Sequence, residues 1–294
     1  MRTSDGGARL LDQIMKLALG TVQFGLDYGV TNQSGKVEES EIEDILDFAK
    51  SNGINILDTA SGYGNSEQVL GGVGVDGYQI ITKTTSLKHG VDEVIKGFYQ
   101  SLKYLNQKSI DGLLIHDINE VNDKEFDDLF ERLNELKQQG LVNKIGFSIY
   151  TPEQVNFLLE NFDFDIIQLP FNVFDTRLVE GGQLQELKKK NIEIHARSVF
   201  LQGVLLDFDN LSSYFSTWRG RFDKYQEVVE KSGMSLLEYA LNFALNTKGI
   251  DKVLVGVNSE QQLREIIQSA KKEGKSSAHP INDVNLLNPS LWRV

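Results

Sequence analysis

INILDTASGYGNSE, residues 54–67, joins the end of a predicted buried strand to the start of a predicted helix. The apolar run stops at Asp58, a turn of small residues follows, and helix-forming sequence begins near Asn65 or Ser66. Asp58 and Tyr63 therefore follow directly after a strand, where a rigid scaffold holds an acid and a phenol close together. In folds built from parallel strands, binding and catalytic residues collect at this carboxyl end.

The same order, a short apolar strand followed by an amphipathic helix, is predicted along the whole chain. The predicted strands are Lys16–Leu19, the run ending at Asp58, and the runs beginning at Tyr78, Ile110, Val142, Phe164, Ile192 and Lys252. The predicted helices are Glu38–Asn52, Ser66–Leu70, Val91–Leu105, Asp123–Gln138, one beginning at Pro152, Gln183–Lys190, Leu236–Asn246 and Glu260–Lys271. Eight such units predict an α/β protein with a single (β/α)8 TIM barrel.

An open, doubly wound sheet gives a similar alternation, but it usually carries the pattern G-x-G-x-x-G after its first strand. Here the first strand is followed by GTVQFG, which does not fit that pattern, so the barrel is favoured. Residues 15–294 are predicted to form one barrel, with a long loop after the seventh strand and a C-terminal tail that folds back over the barrel. Residues 1–14 are predicted to be an N-terminal extension, either disordered or the product of an upstream start.

The composition limits the classes of function that the chain can have. Its 294 residues are 40% hydrophobic and 24% charged, as in an ordinary soluble globular protein. The net charge of −12 argues against a nucleic-acid partner, and the absence of cysteine excludes disulfides, thiolate metal sites and a cysteine nucleophile. The sequence shows neither an apolar run long enough to span a membrane nor the apolar core of a signal peptide. We therefore expect a cytoplasmic protein without a membrane partner.

Polar side chains stand at the carboxyl ends of the predicted strands, which meet at one mouth of a barrel. They are Gly20 with Thr21, Asp58, Lys83, His116, Ser148, Gln168, Arg197, and Gly256 with Asn258. Ordinary loop polarity explains any one of them, but lysine, aspartate, histidine and arginine at one mouth are typical of a functional site. The chain's four histidines are spread too widely for a helical zinc motif, so no metal site is predicted.

A phenol beside an ammonium group is the combination that carries chemistry here. The charge of Lys83 would stabilise the phenolate of Tyr63 and so make Tyr63 a better proton donor, while Asp58 would keep Lys83 charged and oriented. Such a phenol can protonate a developing alkoxide near neutral pH. These side chains provide proton transfer without a redox centre, so a reduction would need a cofactor.

Five stretches resemble the motifs of the aldo-keto reductase family, in order and in context. They are LDTASGYGNSE, the lysine of IITKT, the histidine of LLIHD, GFS after the fifth strand, and IIQLPFN. The resemblance runs from Lys16 to about Ala270 and is to bacterial-type, NADPH-dependent members. It implies reversible reduction of an aldehyde or ketone to an alcohol.

The resemblance assigns a role to each of four residues. Tyr63 would be the general acid that protonates the carbonyl oxygen, and Lys83 would activate it. Asp58 would hold Lys83, and His116 would orient the substrate carbonyl.

The family binds NADP(H) in an extended form without a Rossmann fold, and the resemblance implies a set of contacts with that cofactor. Thr21 and Asp58 would lie near the nicotinamide ribose, and residues 198–203 would wrap the pyrophosphate. The implied cofactor-binding residues are Gly20, Thr21, Asp58, Ser148, Gln168, Arg197, Ser198, Phe200, Gln202, Gly203, Gly256, Asn258, Ser259, Gln262 and Glu265.

Three positions depart from the family pattern. Ile149 and Ile266 stand where asparagine is common, and no lysine or arginine directly follows Gly256. Arg264, one helical turn further on, is then the residue expected to reach a 2′-phosphate near Asn258, because arginine pairs well with phosphate.

Two other functions fit parts of the pattern. A nicotinamide-binding regulatory subunit with little turnover would share the fold, although such relatives typically lack the residue equivalent to His116. A cofactor-free lyase forming a Schiff base on Lys83 is disfavoured by Asp58, which keeps the amine charged. We expect a small-molecule carbonyl substrate, with a lean to a sugar-related one, and a monomer or small homo-oligomer.

The sequence leaves the role of several other residues open. His195, two residues before Arg197, faces the site or is a satisfied core histidine. Arg177 and Arg219 are expected to form ion pairs in loops. An aromatic group lines a substrate pocket or packs the long seventh loop; its members are Phe171, Phe200, Tyr214, Phe215 and Trp218.

Overall fold

The computed structural model describes residues 11–272 and 274–293. Most of the predicted N-terminal extension, residues 1–10, lies outside the described residues. Residues 11–15 are helical, and Ile14 is buried in the main apolar core.

The predicted (β/α)8 barrel is confirmed, because eight strands close into one parallel sheet. Each strand pairs with the next, and the last pairs with the first through Leu17 opposite Val253 and Gly20 opposite Gly256. The strands are β1 Leu17–Gly20, β2 Ile56–Asp58, β3 Gln79–Lys83, β4 Ile110–Ile115, β5 Val142–Ser148, β6 Ile166–Pro170, β7 Glu193–Arg197 and β8 Lys252–Gly256.

Helices surround the barrel, and the eight that apolar periodicity predicts begin within three residues of their predicted starts, whereas α1, α7, α9 and α12 were not predicted. The α-helices are α1 Val22–Gly25, α2 Glu39–Ser51, α3 Ser66–Val73, α4 Val91–Tyr104, α5 Phe126–Gln138, α6 Pro152–Asn161, α7 Arg177–Glu180, α8 Gln183–Lys189, α9 Arg219–Ser232, α10 Leu236–Asn246, α11 Glu260–Lys271 and α12 Val284–Leu287. Short 3-10 helices span Leu87–His89, Ile118–Asn122, Leu201–Gly203, Ser213–Trp218 and Pro289–Leu291. Within the described residues, no helix is both long enough and apolar enough to cross a bilayer.

Both faces of the barrel wall are apolar, which explains why the strands read as continuous apolar runs. The inward-facing cluster consists of Ala18, Ile56, Ile81, Leu114, Ile166 and Leu254. Alternate residues such as Leu17 and Leu19 pack outward beneath the helices. The barrel interior is therefore a packed core rather than a pore, and it supports the polar residues at the carboxyl ends of the strands.

A second apolar cluster joins the long loop after β7 to the C-terminal tail. Its main helix, α9, falls within the predicted long loop and was not predicted as a helix; it buries Phe222 and Val229. The tail is fixed beside it, because Trp218 Nε1 donates a hydrogen bond to Asp283 Oδ2 at 3.0 Å. The tail thus packs against the long loop and bonds to the loop after β6, where Ile281 N–H donates to the Phe174 carbonyl at 3.0 Å.

Candidate active site

The loop after β2 holds Tyr63 through its own backbone and through a close neighbour. Tyr63 N–H donates to the Ala60 carbonyl at 3.0 Å, and the Tyr63 carbonyl accepts from Ser66 N–H, at the start of α3, at 3.0 Å. Gly25, in α1, packs against this loop so closely that a β-carbon there would lie 1.8 Å from the Tyr63 carbonyl oxygen. Only glycine allows this approach, so α1 fixes the loop that presents the phenol.

Asp58 and Lys83 form a buried ion pair at the ends of β2 and β3. Lys83 Nζ lies 2.6 Å from Asp58 Oδ1 and also donates to the Thr59 carbonyl at 2.9 Å. The second carboxylate oxygen of Asp58 accepts a hydrogen bond from Gln168 Nε2 at 2.6 Å. Asp58 and Lys83 are 3% and 1% exposed, so the pair is satisfied almost entirely by protein groups.

The ammonium group of Lys83 also faces Tyr63, with Nζ 5.0 Å from the centroid of the phenol ring. Burial alone would lower the pKa of Lys83, but attraction to Asp58 and then to Tyr63 outweighs burial and raises it. Lys83 therefore stays positively charged at neutral pH and places its charge beside the phenol.

His116, directly after β4, is the fourth polar side chain at this point. Its ring meets that of Tyr63 edge to face, with the centroids 6.0 Å apart. Burial, followed by the charge of Lys83, lowers the pKa of His116 to about 4. The imidazole is therefore neutral near pH 7, with one ring nitrogen that donates a hydrogen bond and one that accepts.

A cavity of about 710 Å³ opens at the carboxyl ends of the strands, and all four of these residues line it. Most of the residues that the sequence assigns to a cofactor line the same cavity: Gly20, Thr21, Ser148, Gln168, Arg197, Ser198, Phe200, Gln202, Gly203, Gly256, Asn258, Gln262 and Glu265. Ser259 is not part of the lining; it caps α11, where its Oγ accepts from Gln262 N–H at 3.2 Å.

The loop between α1 and α2, residues 26–38, contributes a wall of the cavity that sequence reasoning missed. Tyr28, Thr31, Asn32, Gln33 and Ser34 all line the cavity. The position of this loop after β1 was the available signal, since loops at that end of a barrel carry function. Its residue types, however, are those of any polar turn.

This first loop touches the loops after β7 and β8. Gln202 Nε2 donates to the Tyr28 hydroxyl at 2.8 Å, and Asn258 Nδ2 donates to Asn32 Oδ1 at 2.7 Å. Three chain segments that are far apart in sequence therefore enclose the cavity along its length.

Arg197, at the end of β7, is held in place by aromatic and carbonyl partners. Its guanidinium carbon lies 4.2 Å from the ring centroid of Tyr150, and Nη2 donates to the Ile149 carbonyl at 3.0 Å. Tyr150 also lines the cavity and was not predicted to do so.

The chemistry of the cavity lining suits a dinucleotide. The side-chain oxygen of Gln23, in the cavity wall, is buried without a partner. Ser198, Leu201 and Gln202 have positive φ angles of 58°, 48° and 54°, a strained backbone that is typical of ligand-binding segments. The residues present therefore fit an extended nicotinamide dinucleotide.

Other residues considered in the sequence lie away from the cavity. His195 is fully buried inside the barrel, where its Nε2 lies 2.7 Å from Glu193 Oε1. Arg177 and Arg219 form the expected ion pairs, with Asp175 and with Asp209 and Asp223 respectively. Across the described ranges, no group of three or more His, Asp or Glu side chains could hold a metal.

The aromatic group divides between the cavity and the packing around it. Phe200 lines the cavity, and Phe171 stacks on Phe243. Tyr214, Phe215 and Trp218 pack within the second apolar cluster. In the part of the chain that the structure describes, the cavity lining ends at Ile266, so the tail does not cover the opening.

Comparison with known proteins places these features in a family context. Residues 16–283 match the model of the Aldo/keto reductase family. The oxidoreductase YqkF of Bacillus subtilis is 27% identical over 87% of this chain and 90% of its own length. D-arabinose 1-dehydrogenase of Saccharomyces cerevisiae is 25% identical over 86% of this chain and 82% of its own. L-galactose dehydrogenase of Arabidopsis thaliana is 26% identical over 79% and 78%.

Solved structures share the fold. The holo form of aldo-keto reductase AKR11C1 from Bacillus halodurans superposes with a TM-score of 0.70 at 20% identity, covering 89% of this chain and 88% of the other. Glycerol dehydrogenase AKR11B4 from Gluconobacter oxydans gives a TM-score of 0.67 at 22% identity, covering 86% of both chains.

Proposed function

The chain belongs to the aldo/keto reductase family of oxidoreductases, and from that premise we propose that it reduces an aldehyde or ketone to an alcohol, reversibly, using NADP(H). The observation that carries the proposal is the cluster of Tyr63, Lys83, Asp58 and His116 in one cavity wall. A phenol beside a buried, positively charged ammonium group can act as a proton donor to a reacting oxygen, and the neutral imidazole is a hydrogen-bonding group rather than a second charge.

We propose that the cofactor and four residues of the cavity have the following roles during reduction. The bound reduced nicotinamide supplies the hydride. Tyr63 donates its hydroxyl proton to the carbonyl oxygen of the substrate as negative charge develops there. Lys83 stabilises the phenolate that remains, and Asp58 keeps Lys83 in position. His116 donates a hydrogen bond to the same carbonyl oxygen and so orients it.

The cofactor is proposed to lie along the cavity in the order of the resemblance. Ser148 and Gln168 would hold the nicotinamide carboxamide, and residues 198–203 the pyrophosphate. Gln262 and Glu265 would contact the adenine.

Arg264 supports NADPH as the cofactor, because its guanidinium group could pair with the 2′-phosphate. Arg264 is paired with Glu260 at the surface, where an ion pair contributes little and is readily exchanged for a phosphate. We therefore propose that NADPH is accepted through a shift of Arg264, with Asn258 beside it.

A small hydroxylated carbonyl compound, such as a sugar, is the substrate class that we propose. Tyr28, Tyr150 and Arg197 line the cavity and can donate hydrogen bonds to hydroxyl groups. Partial burial, followed by the nearby Tyr63, raises the pKa of Tyr28 to about 12, so its hydroxyl keeps its proton. Two relatives with similar sequences act on sugars by name, D-arabinose and L-galactose. We further propose that the chain acts in the cytoplasm as a monomer or small homo-oligomer, without nucleic acid.

The test is the loss of reduced-nicotinamide absorbance with a panel of aldehydes and aldoses, repeated with Tyr63→Phe. We expect Tyr63→Phe to lower kcat by about 100-fold or more, the usual effect of removing a general acid. Tyr99→Phe, on the exposed face of α4, is the matched control and should leave kcat unchanged. Equal turnover by the wild type and Tyr63→Phe would contradict the mechanism. Tight NADPH binding without turnover of any carbonyl would favour the regulatory subunit.

A further inference from the structure

Carboxylates gather at the start of α11, which forms the end of the cavity assigned to the adenosine half of the cofactor. Glu41, on α2, reaches across to this helix, where its Oε1 accepts from Glu260 N–H at 2.6 Å. Glu260 is the first residue of α11, and Glu265, on the same helix, lines the cavity. Glu41 and Glu260 therefore lie at the first turn of α11, two residues from Asn258 in the case of Glu260, and Glu265 lines the cavity further along the same helix.

The arginine of α11 has two partners within the protein. Arg264 Nη2 pairs with Glu260, and its guanidinium carbon lies 4.2 Å from the ring centroid of Phe48. The cations in the cavity lining are Lys83 and Arg197, which stand at the catalytic end. Among the described residues that line the adenosine end, the one charged side chain is that of Glu265, which is acidic. The other residues that line this end are Asn32, Gln33, Ser34, Asn258, Gln262 and Ile266.

We propose that Glu41 is a specificity-determining residue that weakens the binding of a 2′-phosphate and so makes NADH an effective alternative to NADPH. This inference rests on the proposed function. The first turn of a helix attracts anions through its free N–H groups and its dipole. Here a carboxylate of the protein occupies one of those N–H groups. A phosphate carrying two charges and bound at the start of α11 would be repelled by the Glu41 carboxylate, whereas the neutral 2′-hydroxyl of NADH would not be.

A purely structural role for Glu41, tying α2 to α11, is the competing explanation, and the substitution Glu41→Gln separates the two. Glutamine keeps a side-chain oxygen that can accept from Glu260 N–H but removes the charge. Glu39→Gln is the matched control, because Glu39 is an exposed acid two residues away on the same helix. It points to a different face, since residues two apart on a helix do not share one.

The experiment measures dissociation constants of NADPH and NADH directly, by fluorescence titration of the wild type and both variants, at low salt. Glu41→Gln should tighten NADPH binding by roughly three- to tenfold, the scale of one nearby charge, and leave NADH within twofold. Glu39→Gln should leave the ratio of the two constants unchanged. Raising the salt concentration should shrink the effect of Glu41→Gln, because salt screens the charge.

Each outcome bears on a definite claim. If the wild type binds neither dinucleotide, the proposed function fails. If it binds both and Glu41→Gln leaves the ratio unchanged, only the role of Glu41 fails. The wild type provides a test that needs no variant: the proposal expects the constants for NADH and NADPH to differ by less than about tenfold, and a preference for NADPH above about 100-fold would overturn it.

Discussion

Asp58 and Lys83 place two opposite charges in the buried layer at the carboxyl ends of β2 and β3. Both are almost fully buried, and Gln168 and the Thr59 carbonyl complete their hydrogen bonds. Such a pair is neutral or even costly compared with an apolar core, but removing one partner strands the other charge. At the scale of single residues, a substitution in this ion pair is therefore expected to change the stability of the fold as well as the active site.

The first prediction concerns Asp58→Asn. We expect it to lower the free energy of unfolding by about 3–5 kcal/mol, because Lys83 is left as an uncompensated buried charge. Urea denaturation followed by circular dichroism measures the change. Glu93→Gln breaks an exposed ion pair with Lys96 and should have no measurable effect. A loss no larger than that of the control would show that the buried pair is not coupled to stability.

The second prediction concerns the pH dependence of the reaction. Because the pKa of His116 is lowered to about 4, the ring is neutral over the range from pH 5 to 8, and its protonation should not limit turnover there. As the pH falls through about 4, the ring gains a positive charge beside that of Lys83, which disturbs the neutral hydrogen-bonding group that orients the carbonyl, and kcat/KM should fall. A pH–rate profile of the wild type against His116→Gln checks this; an acid limb near pH 6.5 that disappears in the variant would refute it.

At the scale of elements, the loops decide how the cavity closes. Thr31 in the first loop packs against Gly203 after β7, so a β-carbon at Gly203 would lie 1.9 Å from Thr31 Oγ1. Gly203 also has a φ of 95°, a conformation that other residues rarely adopt. The contact between the two loops therefore depends on the absence of a side chain at Gly203.

The third prediction compares two glycine-to-alanine substitutions. Gly203→Ala should destabilise the fold by roughly 1–3 kcal/mol through strain and should weaken dinucleotide binding, because it separates the loops. Gly220→Ala, in α9 with open space around it, should be neutral or stabilising by up to about 1 kcal/mol. Thermal unfolding and fluorescence titration of both variants give the two readouts. Similar stability changes for the two would contradict the loop contact.

The elements also show what could be read from the sequence. Strand and helix periodicity depends on neighbouring residues, so β1–β8 and the helices between them appear within a few residues of their predicted bounds. The polar residues at the strand ends could also be predicted to lie together, because a barrel brings every carboxyl end to one mouth. By contrast, Tyr28 and Tyr150 reach the cavity through loop conformations that depend on distant partners. α9 has a polar composition with few apolar residues, and the tail packs on it through long-range contacts.

At the scale of the whole molecule, the two ends of the barrel have different roles. The carboxyl ends of the strands carry the cavity, while Lys144, Glu193 and His195 form a polar group toward the opposite end, in which His195 is buried and the other two are partly exposed. The hydrogen bond from His195 is the main cause that lowers the pKa of Glu193 to about 2. In TIM barrels this far end serves stability rather than catalysis.

The fourth prediction follows from that lowered pKa. In the folded chain Glu193 stays ionised at a pH where the unfolded chain is protonated, so its contribution to stability is present above about pH 4.5 and is lost as the pH falls towards 2. Glu193→Gln should therefore flatten the fall in melting temperature between these values. It should leave the kinetics at pH 7 intact. Glu186→Gln, in an exposed pair with Lys189, is the control and should keep the wild-type acid limb.

The pairing of β1 with β8 has a consequence for how the protein folds during its synthesis. Leu17 and Val253 are neighbours in the sheet although nearly the whole chain separates them. Contacts between such distant residues form slowly, since a long loop must close first. During synthesis, the chain emerges with β2–β7 able to associate while its first strand waits for the last one. The cavity, which needs residues from the segments after both β1 and β8, is then completed only after β8 has been made.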